Sequence, residues 1–115
     1  MKASQYSEYI DKLDKDEKLY FYETLAHYLT ISIREMWSNA DSSENEIIEQ
    51  IKYINEILHR VTSKIKVERL MLHEWTESDF IKMINHYVKI CPTIGGAVAY
   101  AIEYSYETTL NKQKS

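Results

Sequence analysis

The chain has 115 residues and carries 18 acidic against 14 basic side chains, for a net charge of −4. This length suits one domain with a single modest core, and the lack of a basic excess argues against a general DNA- or RNA-binding protein. Two glycines, one proline and no strand-like alternation favour an all-α, single-domain protein spanning residues 1–115.

A single cysteine, Cys91, excludes an intrachain disulfide and a cysteine-based zinc site. The polar N-terminus does not resemble a secretory signal, and the longest apolar run, 94–102, is too short to span a bilayer. We therefore expect a cytoplasmic protein that does not contact membrane or nucleic acid, and we predict no cofactor.

The first 13 residues allow two interpretations. Apolar side chains recur there at helical spacing, at Tyr6, Tyr9, Ile10 and Leu13. This segment is therefore either a short amphipathic helix packed on the body of the protein or a frayed terminus.

A first long helix is predicted to begin at Asp14 or Asp16 and to reach about Trp37. Both aspartates are suitable N-cap residues, and acidic side chains at a helix start suit the helix dipole. The predicted buried stripe contains Tyr22, Leu25, Leu29, Ile33 and Met36. The polar segment 38–42 then predicts a short loop, which makes the first two long helices antiparallel neighbours.

The clearest helix is predicted over residues 43–66. Ser43 and Glu46 have the spacing of a capping box, in which each side chain binds the backbone N–H of the other residue. Apolar residues at alternating spacings of four and three predict one buried stripe: Ile47, Ile51, Ile54, Leu58, Val61 and Ile65.

Two further helices complete a predicted antiparallel four-helix bundle. Thr76 and Asp79 form a second capping box, preceded by Trp75 at the position of a hydrophobic staple. The third helix, which ends at Pro92, has a predicted inner face of Phe80, Ile84, Tyr87 and Val88. The fourth is predicted over 93–110, with 111–115 as a solvated tail, and its predicted buried stripe is Ile94, Val98, Ala101, Ile102 and Ser105.

A polar cluster is the first candidate site. Polar residues recur at helical spacing on the first two long helices, and a hairpin turning near residue 40 would place Glu23 opposite His59 and His27 opposite Asn55. With Glu56, these five residues could form a metal or acid–base site, since Glu56 and His59 have the Glu-x-x-His spacing of di-iron bundles. The alternative is a hydrogen-bond network that fixes helix register.

The turn at 92–96 is a second candidate. Its glycines and the following helix N-terminus could bind an anion, and Cys91 could be a reactive thiol there. The alternative is that Gly95 and Gly96, with Ala97 and Ala99, only allow another helix to approach closely.

Ten tyrosines in 115 residues provide the third candidate. Tyr100 and Tyr104 lie one helical turn apart beside Glu103 and Glu107, and tyrosine is enriched at protein interfaces. The tyrosines considered for exposure besides this pair are Tyr6, Tyr9, Tyr20, Tyr28 and Tyr53. The alternative is that these rings only surround a small core, with their hydroxyls in water.

We interpret the chain as a small intracellular protein-interaction module: an adaptor, an inhibitor, or an antitoxin-like or immunity-like protein. It would act through an aromatic and acidic surface containing Tyr100, Glu103, Tyr104 and Glu107, together with the N-terminal Tyr6 and Tyr9. The expected partner is another protein, and a homodimer fits the same features. The alternative function is a metal-binding or acid–base bundle that uses the Glu/His cluster.

Overall fold

The computed structural model describes residues 6–38, 44–70, 72 and 76–114, and within them the chain forms five α-helices and no strand. Four helices are long, so the prediction of an all-α bundle with a short additional N-terminal helix is confirmed. The bounds are α1 Tyr6–Asp11, α2 Lys15–Ser38, α3 Glu44–Arg69, α4 Glu77–Ile90 and α5 Gly95–Lys114, with a 3₁₀ turn over Pro92–Ile94.

Helix α1 settles the two interpretations of the N-terminal segment from residue 6 onward. Tyr6 and Ile10 lie one turn apart on α1 and are buried, and Leu13, just beyond the helix, is buried as well. The three side chains belong to the main core, and α1 packs against α4. A helix this short is not stable alone, so its burial against the body accounts for its formation.

Two helix starts follow their predicted caps. The backbone N–H of Glu17 donates to Asp14 Oδ1 at 2.8 Å, and the N–H of Asp14 donates to Glu17 Oε1 at 2.9 Å. The N–H of Asp79 donates to Thr76 Oγ1 at 3.2 Å, and that of Thr76 to Asp79 Oδ2 at 3.1 Å. The bond from Thr76 lowers the pKa of the Asp79 carboxyl, because it favours the charged form.

Two other predicted features of helix starts, the Ser43 cap and the Trp75 staple, lie outside the described residues, as does loop segment 39–42. Helix α2 is the neighbour of both α3 and α5, and its contacts with these two helices are the most extensive in the fold. Its predicted stripe is buried at Tyr22, Leu25 and Leu29 and half-buried at its C-terminal end.

The buried stripe of α3 differs from the predicted one. The structure buries Ile57 and Lys64, whereas Leu58 and Ile65 are half-buried beside the core. The two stripes share Ile47, Ile54 and Val61, so spacing alone does not decide which neighbouring positions face the centre. Lys64 lies there because the carboxylates of Glu68 and Glu77 neutralise it.

Helix α5 buries its predicted stripe and extends further than predicted. All five predicted residues are buried, together with Thr109. The Ser105 hydroxyl donates to the Ala101 carbonyl at 2.6 Å, and the Thr109 hydroxyl to the Ser105 carbonyl at 2.8 Å, so both buried polar groups are paired. The helix continues to Lys114, past the predicted end at residue 110, and Asn111 and Lys112 are exposed. No glycine or proline interrupts the helix there.

The two glycines at the start of α5 have different surroundings. A Cβ atom at position 95 would lie 3.2 Å from Cγ1 of Val88 on α4, so Gly95 does allow a close approach between helices. A Cβ atom at position 96 would have nothing within 4 Å, and that residue is exposed. Only Gly95 therefore fits the predicted packing role.

We expect Gly96→Ala to raise the free energy of unfolding by about 0.4–1 kcal/mol, because alanine reduces the freedom of the unfolded chain and meets no neighbour. Gly95→Ala should give a smaller gain or a loss, since the stiff Val88 side chain must shift. Urea unfolding followed by circular dichroism measures both variants. Equal stabilisation by the two would show that the contact with Val88 imposes no constraint.

Candidate functional site

Three tyrosine rings form a continuous cluster across α2 and α5. The rings of Tyr100 and Tyr104 have centroids 4.5 Å apart, and Tyr104 contacts Tyr28 of α2 edge-on at 5.5 Å. Tyr100 is 57% exposed and Tyr104 is 41% exposed, whereas Tyr28 is half-buried. The half-buried Tyr28 ring therefore supports two rings that remain open to solvent.

Two exposed carboxylates, Glu103 and Glu107, lie on the same side of α5. At about 100° per residue, Tyr100, Glu103, Tyr104 and Glu107 fall within roughly one third of the helix circumference, opposite the buried stripe. We call these four residues the outer face of α5. The structure thus brings together the four α5 residues that the sequence singled out.

The surroundings of the Tyr100 hydroxyl disfavour its ionisation. Hydrogen bonding with Tyr104, with smaller contributions from partial desolvation and from the nearby Glu35, raises the pKa of Tyr100 to about 12. Tyr100 is therefore neutral at physiological pH.

The N-terminal tyrosines behave differently from one another. Tyr6 is only 4% exposed, and its ring packs edge-on against Tyr106 at 5.9 Å, so the expectation that Tyr6 lies on an exposed surface is wrong. The reason is tertiary: α1 folds back and places this ring in the core. Tyr9 remains 37% exposed, 5.7 Å from Tyr106.

The rings of Tyr6 and Tyr9 lie beside the outer face of α5. Burial raises the pKa of Tyr6, and the negative charges of Glu103 and Glu107 raise it further, so these carboxylates lie close to the Tyr6 hydroxyl. Tyr9 therefore continues the exposed aromatic surface of α5 onto α1. The buried Tyr6 ring packs beneath this surface.

The polar residues of α2 and α3 do not gather in one cluster. Glu23 forms an ion pair with Arg69 at the end of α3, and the predicted pair with His59 is not formed. His27 is exposed, and its ring contacts Tyr28 at 5.7 Å. Among the described residues, no three His, Cys, Asp or Glu side chains converge in the way that a metal site requires.

The α3 members of this predicted cluster line a wide, open groove of about 780 Å³. Asn55, Glu56 and His59 share it with Tyr87 of α4, and neither Glu23 nor His27 contributes to its lining. The sequence therefore identified a polar stretch of α3, but the residue that faces it across the groove, Tyr87, comes from α4.

The turn before α5 is arranged for packing. Cys91 is 5% exposed, belongs to the hydrophobic core, and its Sγ lies 3.2 Å from the Thr93 hydroxyl. A buried thiol of this kind behaves as a small apolar side chain. This arrangement favours the structural interpretation of the turn over the reactive one.

A buried ionic cluster was missed by the sequence interpretation. The Lys64 amine is 1% exposed and lies 3.0 Å from Glu68 Oε1 and 3.6 Å from Glu77 Oε1. Lys18 lies 3.4 Å from the same Glu77 oxygen and 3.9 Å from Asp11. The cluster thus joins α1, α2, α3 and α4. The sequence feature that indicates burial of Lys64 is its position: it lies three residues after Val61 and seven after Ile57, on the buried face of α3.

The charge state of this cluster follows from its surroundings. Burial alone would raise the pKa of Glu77, but its own backbone N–H and the charges of Lys64 and Lys18 outweigh that effect and lower it. The Lys64 amine also lies 5.8 Å from the centroid of the Tyr22 ring. Burial and the negative charge of Glu77 raise the pKa of Tyr22 well above its usual value. The cluster therefore holds charged Glu77 beside neutral Tyr22.

We expect Lys64→Met to lower the free energy of unfolding by an amount on the order of 3 kcal/mol, because it leaves Glu77 buried with fewer compensating charges. Lys66→Met is the matched control, since it removes an exposed lysine from the same helix and should change stability by less than about 0.5 kcal/mol. Equilibrium urea unfolding compares the two. Similar losses for both would show that burial of the Lys64 amine has no energetic consequence.

Acid should weaken the fold through Glu77. Because the pKa of Glu77 is lower in the folded state than its ordinary value of 4.5, its contribution to stability is complete above that pH and is lost as the pH falls through the folded-state pKa. Unfolding measured at pH 7 and at successive values below 4.5 should show a smaller acid loss in Glu77→Gln than in the wild type. Identical pH profiles would contradict this assignment.

Comparisons with known proteins provide no relative: no family model, no curated protein and no solved structure matches the chain. Within the described ranges, the helices lack the combination of length and apolar character needed to cross a bilayer. The functional argument therefore depends on the geometry of the chain itself.

Proposed function

We propose that this protein is a protein-interaction module that binds another protein through the outer face of α5. The observation that carries the proposal is the exposure of two contacting tyrosine rings, Tyr100 and Tyr104, on a helix whose opposite side is fully packed. An adaptor or an inhibitor that covers a site on its partner, as antitoxin-like and immunity-like proteins do, fits this size and shape.

Preorganisation supports this role. The Tyr104 ring is held between Tyr28 and Tyr100, so fewer side-chain rotations are lost when a partner covers it. Tyrosines that are already ordered in the free protein contribute large contact area at low entropic cost, and such rings are frequent among the residues that dominate binding energy.

The rigidity of α5 supports the same role. Its buried stripe packs into the core, and its contacts with α2 are among the most extensive between any two helices of the fold. The outer face is therefore presented by a fixed element of the bundle. Binding should require little rearrangement of the backbone.

The test compares two variants of the tagged protein in affinity capture from its native host, followed by measurement of the dissociation constant for the recovered partner. Tyr100→Ala with Tyr104→Ala should weaken that complex at least about tenfold, as expected for interface tyrosines. Trp37→Ala with Ile48→Ala is the control, because these exposed apolar side chains, at 62% and 48%, lie on α2 and α3, outside the outer face.

The control separates specific binding from adhesion to any apolar surface. A partner retained by the tyrosine variant but lost by the control variant would place the interface elsewhere and contradict the proposal. Thermal unfolding of both variants checks that each remains folded. If the recovered partner is a second copy of the chain, light scattering detects the dimer and the same variants test its interface.

A further inference from the structure

The outer face of α5 carries negative charge that no described cation neutralises. Among the described residues, the exposed Glu103 and Glu107 form no ion pair, and the exposed Glu35 of α2 is close enough to contribute to the raised pKa of Tyr100. The sequence contains no lysine or arginine between Gly95 and Asn111. Any cation that pairs with these carboxylates must therefore come from outside residues 95–111, and the two lysines of α5, Lys112 and Lys114, follow that stretch.

The tyrosine rings of this face also differ from others in the molecule. Within the described part of the chain, four tyrosines have a lysine amine 4.0–5.9 Å from the ring centroid: Tyr9 with Lys12, Tyr20 with Lys112, Tyr22 with Lys64, and Tyr53 with Lys52. No such contact of the described residues involves Tyr100 or Tyr104. The outer face thus combines open aromatic rings with carboxylates that no described cation pairs with.

We propose that the outer face of α5 binds a basic segment of its protein partner, which presents arginine or lysine beside apolar side chains. This inference rests on the proposed function and specifies the chemistry of the partner. A guanidinium group can stack on a tyrosine ring while its N–H groups donate to a carboxylate, so arginine satisfies both features of the surface at once.

The spacing of the groups indicates the form of that segment. Glu103 and Glu107 are one helical turn apart, as are Tyr100 and Tyr104, which places each pair roughly 5–6 Å apart at Cβ. A partner helix with basic residues at positions i and i+4 repeats this distance. The surface therefore matches one side of a basic amphipathic helix laid along α5.

The negative charge of the outer face disfavours two other binding partners, a second copy of the same face and nucleic acid. A symmetric pairing of two outer faces would bring Glu103 and Glu107 of one copy against the same carboxylates of the other, and like charges at an interface are unfavourable. Nucleic acid would bring phosphates to the same carboxylates. A basic protein segment is the occupant for which the charges are complementary.

The experiment uses two synthetic helical peptides with the same leucine positions, one carrying arginine where the other carries glutamate. Isothermal titration calorimetry with the full chain should give binding for the arginine peptide and at least tenfold weaker binding for the glutamate peptide. Glu103→Gln with Glu107→Gln should weaken binding of the arginine peptide by about 2- to 30-fold, as expected for two solvent-exposed ion pairs. Added salt should reduce the difference in affinity between this variant and the wild type.

The matched control is Glu44→Gln with Glu49→Gln, which removes the same charge from exposed positions of α3. This variant should bind the arginine peptide like the wild type, because a change in net charge alone is not the proposed cause. Equal weakening by both double variants would overturn the inference in favour of unspecific attraction.

Two further outcomes would also overturn it: equal binding of both peptides, or binding of neither. Each leaves the proposed function to its own test, in which Tyr100→Ala with Tyr104→Ala weakens a captured complex. A partner lost by that tyrosine variant but unaffected by Glu103→Gln with Glu107→Gln would support the interaction role and refute the basic partner. A partner unaffected by either would refute the interaction role of the outer face itself.

Discussion

The arrangement of the bundle depends on the need to neutralise one buried amine, that of Lys64. An amine this deeply buried is tolerated only beside carboxylates, and Glu68 of the same helix and Glu77 of α4 supply them. Glu77 lies in the first turn of α4, where the helix dipole also favours its charge. The N-terminus of α4 is therefore fixed against α3, and Lys18 joins both to the start of α2.

The pairing of Lys64 with Glu77 affects which sides of α5 the other helices cover. Because α4 is held at its N-terminus, α1 can pack against it and place Tyr6 over the core, where the ring contacts Tyr106 of α5. Helix α2 covers another side of α5 through Tyr28. Tyr104 remains 41% exposed despite its contact with Tyr28, and Tyr100 beside it is 57% exposed. The proposed binding surface is thus the part of α5 that remains after the charged centre has positioned the other helices.

Features that depend on residues three or four positions apart could be predicted from the sequence. The capping pairs Asp14–Glu17 and Thr76–Asp79 need only local geometry, and the stripe of α5 needs only helical periodicity. Helical spacing is compatible with burial of Lys64 and of Tyr6 but does not decide it, because each also depends on a partner from a distant part of the chain. Lys64 is absent from the predicted stripe of α3, and its neutralising partner, Glu77, belongs to another helix.

The same distinction separates the two candidate sites. The polar cluster required a particular register between α2 and α3. Arg69 pairs with Glu23 where His59 was expected, because the position of the turn between two helices does not determine how they slide against each other. The outer face required only that one helix bury its opposite side. A site on one helix follows from the periodicity that predicts the core, whereas a site between helices depends on packing. No described lysine amine lies over Tyr100 or Tyr104. This feature also depends on packing, because it is set by where the other helices place their lysines.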